Sequence, residues 1–324
     1  MNESDLLRIR DYRLFLKTET QTVPVISRGD LHIRPGEIVG LIGESGCGKT
    51  VLWKSIFGLL EPEKWVREGE AAFRGETLKA DDAARLLQLR GKDAAVILQD
   101  PMSAFDQVFT IEHHFLETAR AHTGWTRQAT RERAVALLRQ LYLREPEKVL
   151  AMYPFQCSGG MLQRVMIAIA ILMDPAILIA DEPTTAVDVT VQRQVIAMLR
   201  RLNQEQHTGI LYISHDLRIV EDLAQRIYVM YAGALVESFP AQVLREGGAA
   251  HPYTRRLLAS RPSFTKEKLP VMPGSPPALM ERPAGCPFAP RCSEATAACA
   301  DFGMERTDLG GGHWLRCCRA GGGV

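Results

Sequence analysis

The stretch "GEIVGLIGESGCGKT", Gly36 to Thr50, decides how the chain is read. Its first half is a short apolar run rich in β-branched residues, which predicts a buried strand that ends on a glycine-rich turn. The following "TVLWKSIFGLL" has helical length and spacing and stops near Pro62, so strand, glycine loop and helix come in order. In that context Gly43, Glu44, Ser45, Gly46, Cys47, Gly48, Lys49 and Thr50 fit the pattern of glycine, four residues, glycine, lysine, serine or threonine. Glycines let backbone N–H groups curl around an anion, and a helix N-terminus adds a favourable field. Lys49 is then placed to reach the β- and γ-phosphates of a nucleotide, and the Thr50 hydroxyl to ligate Mg²⁺.

Two further segments extend this reading. "AILIADEP" is a second apolar strand, and it closes on Asp181, a position from which a carboxylate can hold the Mg²⁺ shell. Glu182 follows at once and can polarise an attacking water, a role worth about 10²–10⁴ in rate. "CSGGMLQR", Cys157 to Arg164, precedes the helical run "VMIAIAIL", so Ser158, Gly159, Gly160 and Met161 open another helix with free N–H groups. One nucleotide needs only one such cradle. The economical arrangement is a head-to-tail dimer in which each chain's second site closes on the other's nucleotide.

The rest of the chain frames these segments. "AAVILQ", "GILYISH" and "RIYVMYAG" are further strand candidates separated by helical patterns such as "VQRQVIAMLRRLN", which predicts an α/β core with a largely parallel, buried sheet. Between Gln99 and Ser158 no strand stands out and "TRQATRERAVALLRQLYL" reads as an amphipathic helix, so a helical subdomain is expected over about residues 103–172 of a domain spanning 1–250. From His251 the composition turns proline-rich, predicting an extended connector with a cysteine-rich segment hanging beyond it, over 251–324. With 39 basic against 38 acidic residues there is no global field to recruit nucleic acid or an anionic membrane. The charged "MNESDLLRIR" opening argues against a secretory signal, and no apolar run reaches the roughly 18 residues of a spanning helix. The expectation is a cytosolic protein that works at a membrane only by docking.

Taken together, these motifs resemble those of the ABC transporter ATPases. "LQDPMSAFDQVFTI" places Gln99 where that family carries its Q-loop glutamine, "TTAVD" places Asp188 in the D-loop, and "YISHD" places His215 as the switch histidine. The elements come in the family's order over roughly residues 6–238. The resemblance implies a RecA-like P-loop ATPase core with an inserted helical subdomain. It also implies ATP and Mg²⁺ (Thr50, Gln99, Asp181) as ligands, catalysis by Glu182, His215 and Gln99, and hydrolysis only in a closed dimer. The adenine-stacking aromatic falls near "YRLFLKT", with Phe15 the candidate and Leu16 its alternative. "YPFQCSGGMLQRVMIAIAI", "MYAGALVES", "HPYTRRLLAS" and "GCPFAPRC" are similar to the ATPase subunits of oligopeptide, dipeptide and nickel importers. "SAFD" and "SGGMLQR" resemble nickel or metallophore importers more, and the cysteine tail peptide importers. That likeness implies a second ATPase subunit, in a heterodimer, with two permease subunits and an extracytoplasmic solute-binding protein. It also implies a peripheral position on the cytoplasmic face of the inner membrane.

The tail poses its own question. Cys286, Cys292, Cys299 and Cys317 are separated by five, six and seventeen residues, with Cys318 competing for the last place. A reducing cytosol disfavours disulfides, the spacing lacks the tight pairs of zinc sites, and four thiolates suit a [4Fe–4S] cluster without matching a ferredoxin pattern. The subfamily resemblance favours the cluster; zinc and plain thiols stay open. Two other functions compete with import: a soluble cassette ATPase of DNA repair or translation, and a nucleotide switch with an iron–sulfur redox sensor.

Overall fold

Continuous apolar runs and alternating ones give two kinds of strand in this chain. The computed structural model describes residues 5–184, 189–260 and 272–320. In chain order the first elements are β1 (Leu7–Lys17), β2 (Thr22–Ile33), β3 (Ile38–Ile42), α1 (Lys49–Ile56), β4 (Trp65–Phe73), β5 (Glu76–Thr77), α2 (Ala83–Leu89) and β6 (Ala94–Ile97). A helical stretch follows: α3 (Ile111–His122), α4 (Arg127–Gln140), α5 (Pro146–Ala151) and α6 (Gly159–Ala170). Then come β7 (Ile177–Asp181), α7 (Val189–Gln206), β8 (Gly209–Ile213), α8 (Leu217–Leu223), β9 (Arg226–Tyr231) and β10 (Ala234–Pro240). The chain closes with α9 (Ala241–Arg245), α10 (Pro252–Ala259), β11 (Thr307–Gly310) and β12 (His313–Leu315). By packing, it divides into two units, Met1–Ile33 with Ile38–Asp82 and Ile213–Val324, and Arg34–Glu37 with Ala83–Tyr212.

In the first unit β3 pairs in parallel with β9 and is buried at every position, as parallel strands covered on both faces are. Gly40 is required there, because a Cβ would stand 2.4 Å from Val220 Cγ1 of α8. The sheet is not largely parallel, as the apolar runs alone predict. β1 pairs antiparallel with both β2 and β4, β4 with β5, and β10 with β9. The reason lies in the alternation of "LRIRDYRLFLK": Leu7, Ile9, Tyr12 and Leu14 face the core while the arginines between them face water. Tyr12 locks this arm to α1 through a 2.8 Å hydrogen bond between its hydroxyl and Ser55 Oγ.

The C-terminal segment also departs from its expected form. It does not hang free: β12 pairs antiparallel with β10, aligning Trp314 with Ser238, and β11 pairs with β12. Trp314, Leu315 and Phe288 are buried, and the Arg316 guanidinium, also buried, reaches Asp30 and the Met304 carbonyl. Its aromatic and cationic residues supply the packing that the proline-rich composition conceals.

In the second unit β6 and β7 run parallel, with β8 beside β7. Helices α3 and α4 begin at Thr110 and Thr126, whose hydroxyls accept from backbone N–H groups of their first turns. Glu112 of α3 grips Arg127 at 3.0 Å and Arg131 at 3.1 Å, joining α3 to α4. No helix among the described residues is long and apolar enough to cross a membrane.

Candidate nucleotide site

In the first unit the loop after β3 is shaped by its glycines. At Gly43 an added Cβ would lie 2.2 Å from the Met230 carbonyl oxygen, and Gly48, the residue before α1, has φ +111. Only glycine lets the loop pass so close to β9 and turn into the helix. The Gly233 N–H donates to the Cys47 carbonyl at 2.8 Å and pins the loop to the β9–β10 turn. Lys49 is buried and arches back over the loop, donating to the carbonyls of Gly43 at 2.8 Å and Glu44 at 3.0 Å. A cation is thereby held across a concave run of peptide groups at a helix start, the arrangement an anion needs. Ser45 and Gly46 are exposed on the rim, and Thr50 sits half-buried in the first turn of α1. Burial raises the Cys47 thiol above its ordinary value against the opposing pull of Lys49, so it behaves as a small neutral residue.

Two other expected residues lie in this unit. His215 is exposed in the bend between β8 and α8, and Asp216 beside it caps α8 by accepting from the Arg218 N–H at 3.0 Å. Phe15 is half-buried on β1, on the face opposite Tyr12 and Leu14.

The second unit gathers the acidic residues. Asp181, the buried last residue of β7, and Gln99, two residues beyond β6, stand at the C-terminal ends of adjacent parallel strands. In open α/β sheets this is where ligands bind. The Gln99 Nε2 donates to Glu182 Oε2 at 2.9 Å, fixing the direction of that carboxylate. Glu182 has φ +49, a left-handed conformation that costs a non-glycine residue about 1–3 kcal/mol and is typical of residues aimed for function. Gln99 and Asp181 offer amide and carboxylate oxygens, hard donors of the kind that Mg²⁺ takes.

The helix start expected to form a second anion site lies in the same unit. Ser158 caps α6, its Oγ accepting from the Met161 N–H at 3.3 Å, and Ser158 and Gly159 are exposed, with open space where a Gly159 Cβ would be. Further along α6, the buried Gln163 donates to the Pro183 carbonyl at 2.7 Å. That contact ties α6 to the residue following Glu182, and nothing in the linear pattern of α6 announces it. Asp188 lies outside the described residues.

Residues 26–185 match the family profile described as ABC transporter, and residues 236–299 match that of the oligopeptide/dipeptide transporter C-terminal region. The dipeptide transport ATP-binding protein DppD of Escherichia coli is 39% identical over 314 residues, covering 96% of this chain and 96% of that one. The chain belongs to the ABC transporter ATP-binding family. It is therefore an ATPase of the kind coupled to transport. DppD of Shigella flexneri matches equally, at 39% identity and 96% of each chain. Among solved structures, an ATP-binding subunit of an ABC transporter superposes with a TM-score of 0.61 at 27% identity, over 75% of this chain and 93% of that one. The ATP-binding cassette MJ0796 bound to ADP and phosphate superposes at 0.65 and 24% identity, over 72% and 98%, which shows the fold.

The extension of this cassette carries five of the seven cysteines. Cys286, Cys292, Cys299, Cys317 and Cys318 all line one narrow cavity, together with His251 and Phe288. Gly285 allows the segment to close, since a Cβ there would meet the Cys299 carbonyl at 2.2 Å. Cys299 and Cys318 are in thiol contact at 3.1 Å, so the competitor of Cys317 touches one of the expected ligands. Burial pushes the Cys286 thiol up to about 11 and raises Cys292, and Cys318 is pushed to about 11 by burial and by Cys299. Burial opposes ionisation of Cys299 too, but hydrogen bonds from the Thr296 N–H and from Cys318 hold it below the usual thiol value. Five soft sulfur donors around one cavity suit a soft metal by chemistry. Their arrangement, however, includes no group of three that closes around an ion among the described residues. His251 lines the same cavity, and burial pushes its imidazole down to about 4.

Proposed function

We propose that this cassette is the ATP-hydrolysing subunit of a binding-protein-dependent importer of dipeptides or oligopeptides. The observation that carries the hydrolytic part is the Gln99 amide held on the Glu182 carboxylate at 2.9 Å, at the ends of adjacent parallel strands. The peptide part rests on the C-terminal profile match over residues 236–299 and on relatives named for dipeptide transport.

In this reading Gly43–Thr50 binds the phosphates of ATP, with Lys49 over the β- and γ-phosphates and Phe15 on the adenine. Thr50, Gln99 and Asp181 would hold Mg²⁺, which when bound would supply positive charge to the phosphate oxygens. Glu182 takes a proton from the attacking water while Gln99 fixes the carboxylate's direction. His215 serves as the switch residue, and Asp188 serves in the D-loop. The exposed Ser158–Met161 helix start contacts the nucleotide of a partner cassette, so closure of two subunits, a heterodimer of related cassettes, precedes hydrolysis. Residues 1–250 form the ATPase domain, with the helical subdomain at about 103–172, and 251–324 form the extension. Met102, Val108 and Phe109, exposed apolar residues just beyond Gln99, offer the docking face for two permease subunits at the cytoplasmic side of the inner membrane. A [4Fe–4S] cluster would be held by Cys286, Cys292, Cys299 and Cys317; their convergence on one cavity favours it, and the lack of any three that close around an ion among the described residues speaks against it.

Co-expression with candidate permeases and solute-binding protein, followed by reconstitution, tests the reading. Peptide-loaded binding protein is expected to stimulate ATP hydrolysis. Stimulation by nickel or a metallophore complex instead would overturn the peptide assignment, and hydrolysis indifferent to any permease would favour a soluble cassette. Iron and sulfide assays on anaerobically purified protein test the cluster; an iron-free, colourless protein rejects it.

A further inference from the structure

The C-terminal extension and the phosphate loop belong to the same unit, and one ion pair joins them across 247 positions. Arg291 donates from Nη1 to Glu44 Oε2 at 2.7 Å and from Nη2 to Glu44 Oε1 at 3.0 Å. The pair is bidentate, the geometry that gives an arginine both energy and direction. The Arg291 side chain is 6% exposed, and two further donations hold it: Nη1 to the Tyr231 hydroxyl at 3.1 Å and Nε to the Pro273 carbonyl at 2.9 Å. Glu44 is held from its backbone too, since its N–H donates to the Tyr253 hydroxyl at 2.9 Å. Three residues before Arg291, Phe288 is buried against Tyr231 and Tyr253, with ring centroids 5.2 and 5.3 Å away. The residue after it is Cys292, on the wall of the thiol cavity.

This arrangement poses a physical problem that the ion pair solves. Glu44 is the second residue of a loop shaped to hold polyanionic phosphates, and a bare carboxylate there opposes its ligand. We propose that Arg291 is a positioning residue for ATP binding: by neutralising and orienting Glu44, the extension keeps the phosphate loop competent to bind nucleotide. The inference rests on the reading of Gly43–Thr50 as the nucleotide loop. It makes the extension a working part of the ATP site, in addition to its packing role.

The test is a double-mutant cycle on the full-length subunit, read by calorimetric binding of Mg-ADP and by KM and kcat for ATP, with melting temperature measured in parallel. Arg291→Gln leaves the Glu44 charge unpaired and is expected to raise Kd and KM roughly tenfold, a factor equivalent to about 1.4 kcal/mol, while kcat changes much less. Glu44→Gln leaves the guanidinium positive beside the loop and is expected to tighten Mg-ADP binding severalfold. In the double variant, Arg291→Gln with Glu44→Gln, both charges are gone, and affinity is expected to return to within about threefold of the parent. A purely structural Arg291 would lower the melting temperature in the single variant and not recover affinity in the double one, and that result overturns the proposal. So does an Arg291→Gln protein that binds Mg-ADP normally. Should Arg291→Gln not fold, Glu44→Gln and the double variant carry the same decision, because weakened binding in either contradicts charge neutralisation. Lys49→Ala separates the two readings: unchanged Mg-ADP binding in that variant rejects the loop assignment itself.

Discussion

Phe288→Ala is the perturbation that best measures how firmly the extension is built into the cassette. The Phe288 ring is 1% exposed, with Tyr231, Tyr253 and His251 at centroid distances of 5.2, 5.3 and 6.2 Å. Truncation of a fully buried phenylalanine costs about 3–5 kcal/mol, the spread reflecting how far the site can collapse. The partners here are themselves fixed, Tyr253 by its hydrogen bond to Glu44 and Tyr231 by its hydrogen bond to Arg291, so collapse is restricted and the cost belongs in the upper half of that range. With a urea slope of about 3 kcal/mol/M, the transition midpoint falls by roughly 1.3–1.7 M. Trp53 in α1 and Trp314 in β12 are both buried and give one reporter in the loop-bearing core and one in the extension. In single-tryptophan variants followed by fluorescence, both transitions are expected to coincide in the parent and to move together in Phe288→Ala. A shift confined to the Trp314 transition, with Trp53 unmoved, would refute the integration of the extension with the core.

Two further outcomes follow from the same geometry. Lys49→Ala removes the cation held on the Gly43 and Glu44 carbonyls, and ATP affinity is expected to drop by at least about 100-fold with little change in melting temperature, measured by nucleotide titration and thermal denaturation. Burial lowers the His251 imidazole from 6.5 to about 4, against the pull of Glu237, so the folded state resists protonation more than the unfolded chain does. Stability is then full above pH 6.5 and is lost as pH falls toward 4, by on the order of 3 kcal/mol from this group. His251→Asn keeps an acceptor for the Tyr253 N–H and is expected to flatten that acid limb in urea titrations at pH 7, 5.5 and 4.5; an unchanged slope contradicts the assignment.

The parts legible in the sequence are those whose signals are local. The phosphate loop, the β7 carboxylates and the α6 cap each combine a periodic run with residues whose role depends on immediate neighbours, and the structure forms strand, loop and helix at the first, a buried strand end at the second and a capped helix start at the third. β1 was harder to read because its alternation is broken at Asp11, which has φ +46, and its pairing shifts register there. Its antiparallel partners, β2 and β4, are visible only once paired. The extension was least legible. Proline spacing indicates an extended chain and says nothing of the β12–β10 pairing or of an arginine meeting Glu44 across 247 positions. Cysteine spacing identified the thiols that share a cavity, but placing Cys318 against Cys299 required the fold.

Glu182→Gln puts the hydrolytic assignment to its sharpest trial. The substitution preserves size and can still meet the Gln99 amide, but it removes the proton acceptor that catalysis requires. With Mg-ATP the variant is expected to bind nucleotide as tightly as the parent while turnover falls by about 10²-fold or more, read by phosphate release alongside equilibrium ATP binding. Near-normal turnover in Glu182→Gln, with binding intact, would contradict the assignment of Glu182 as the base.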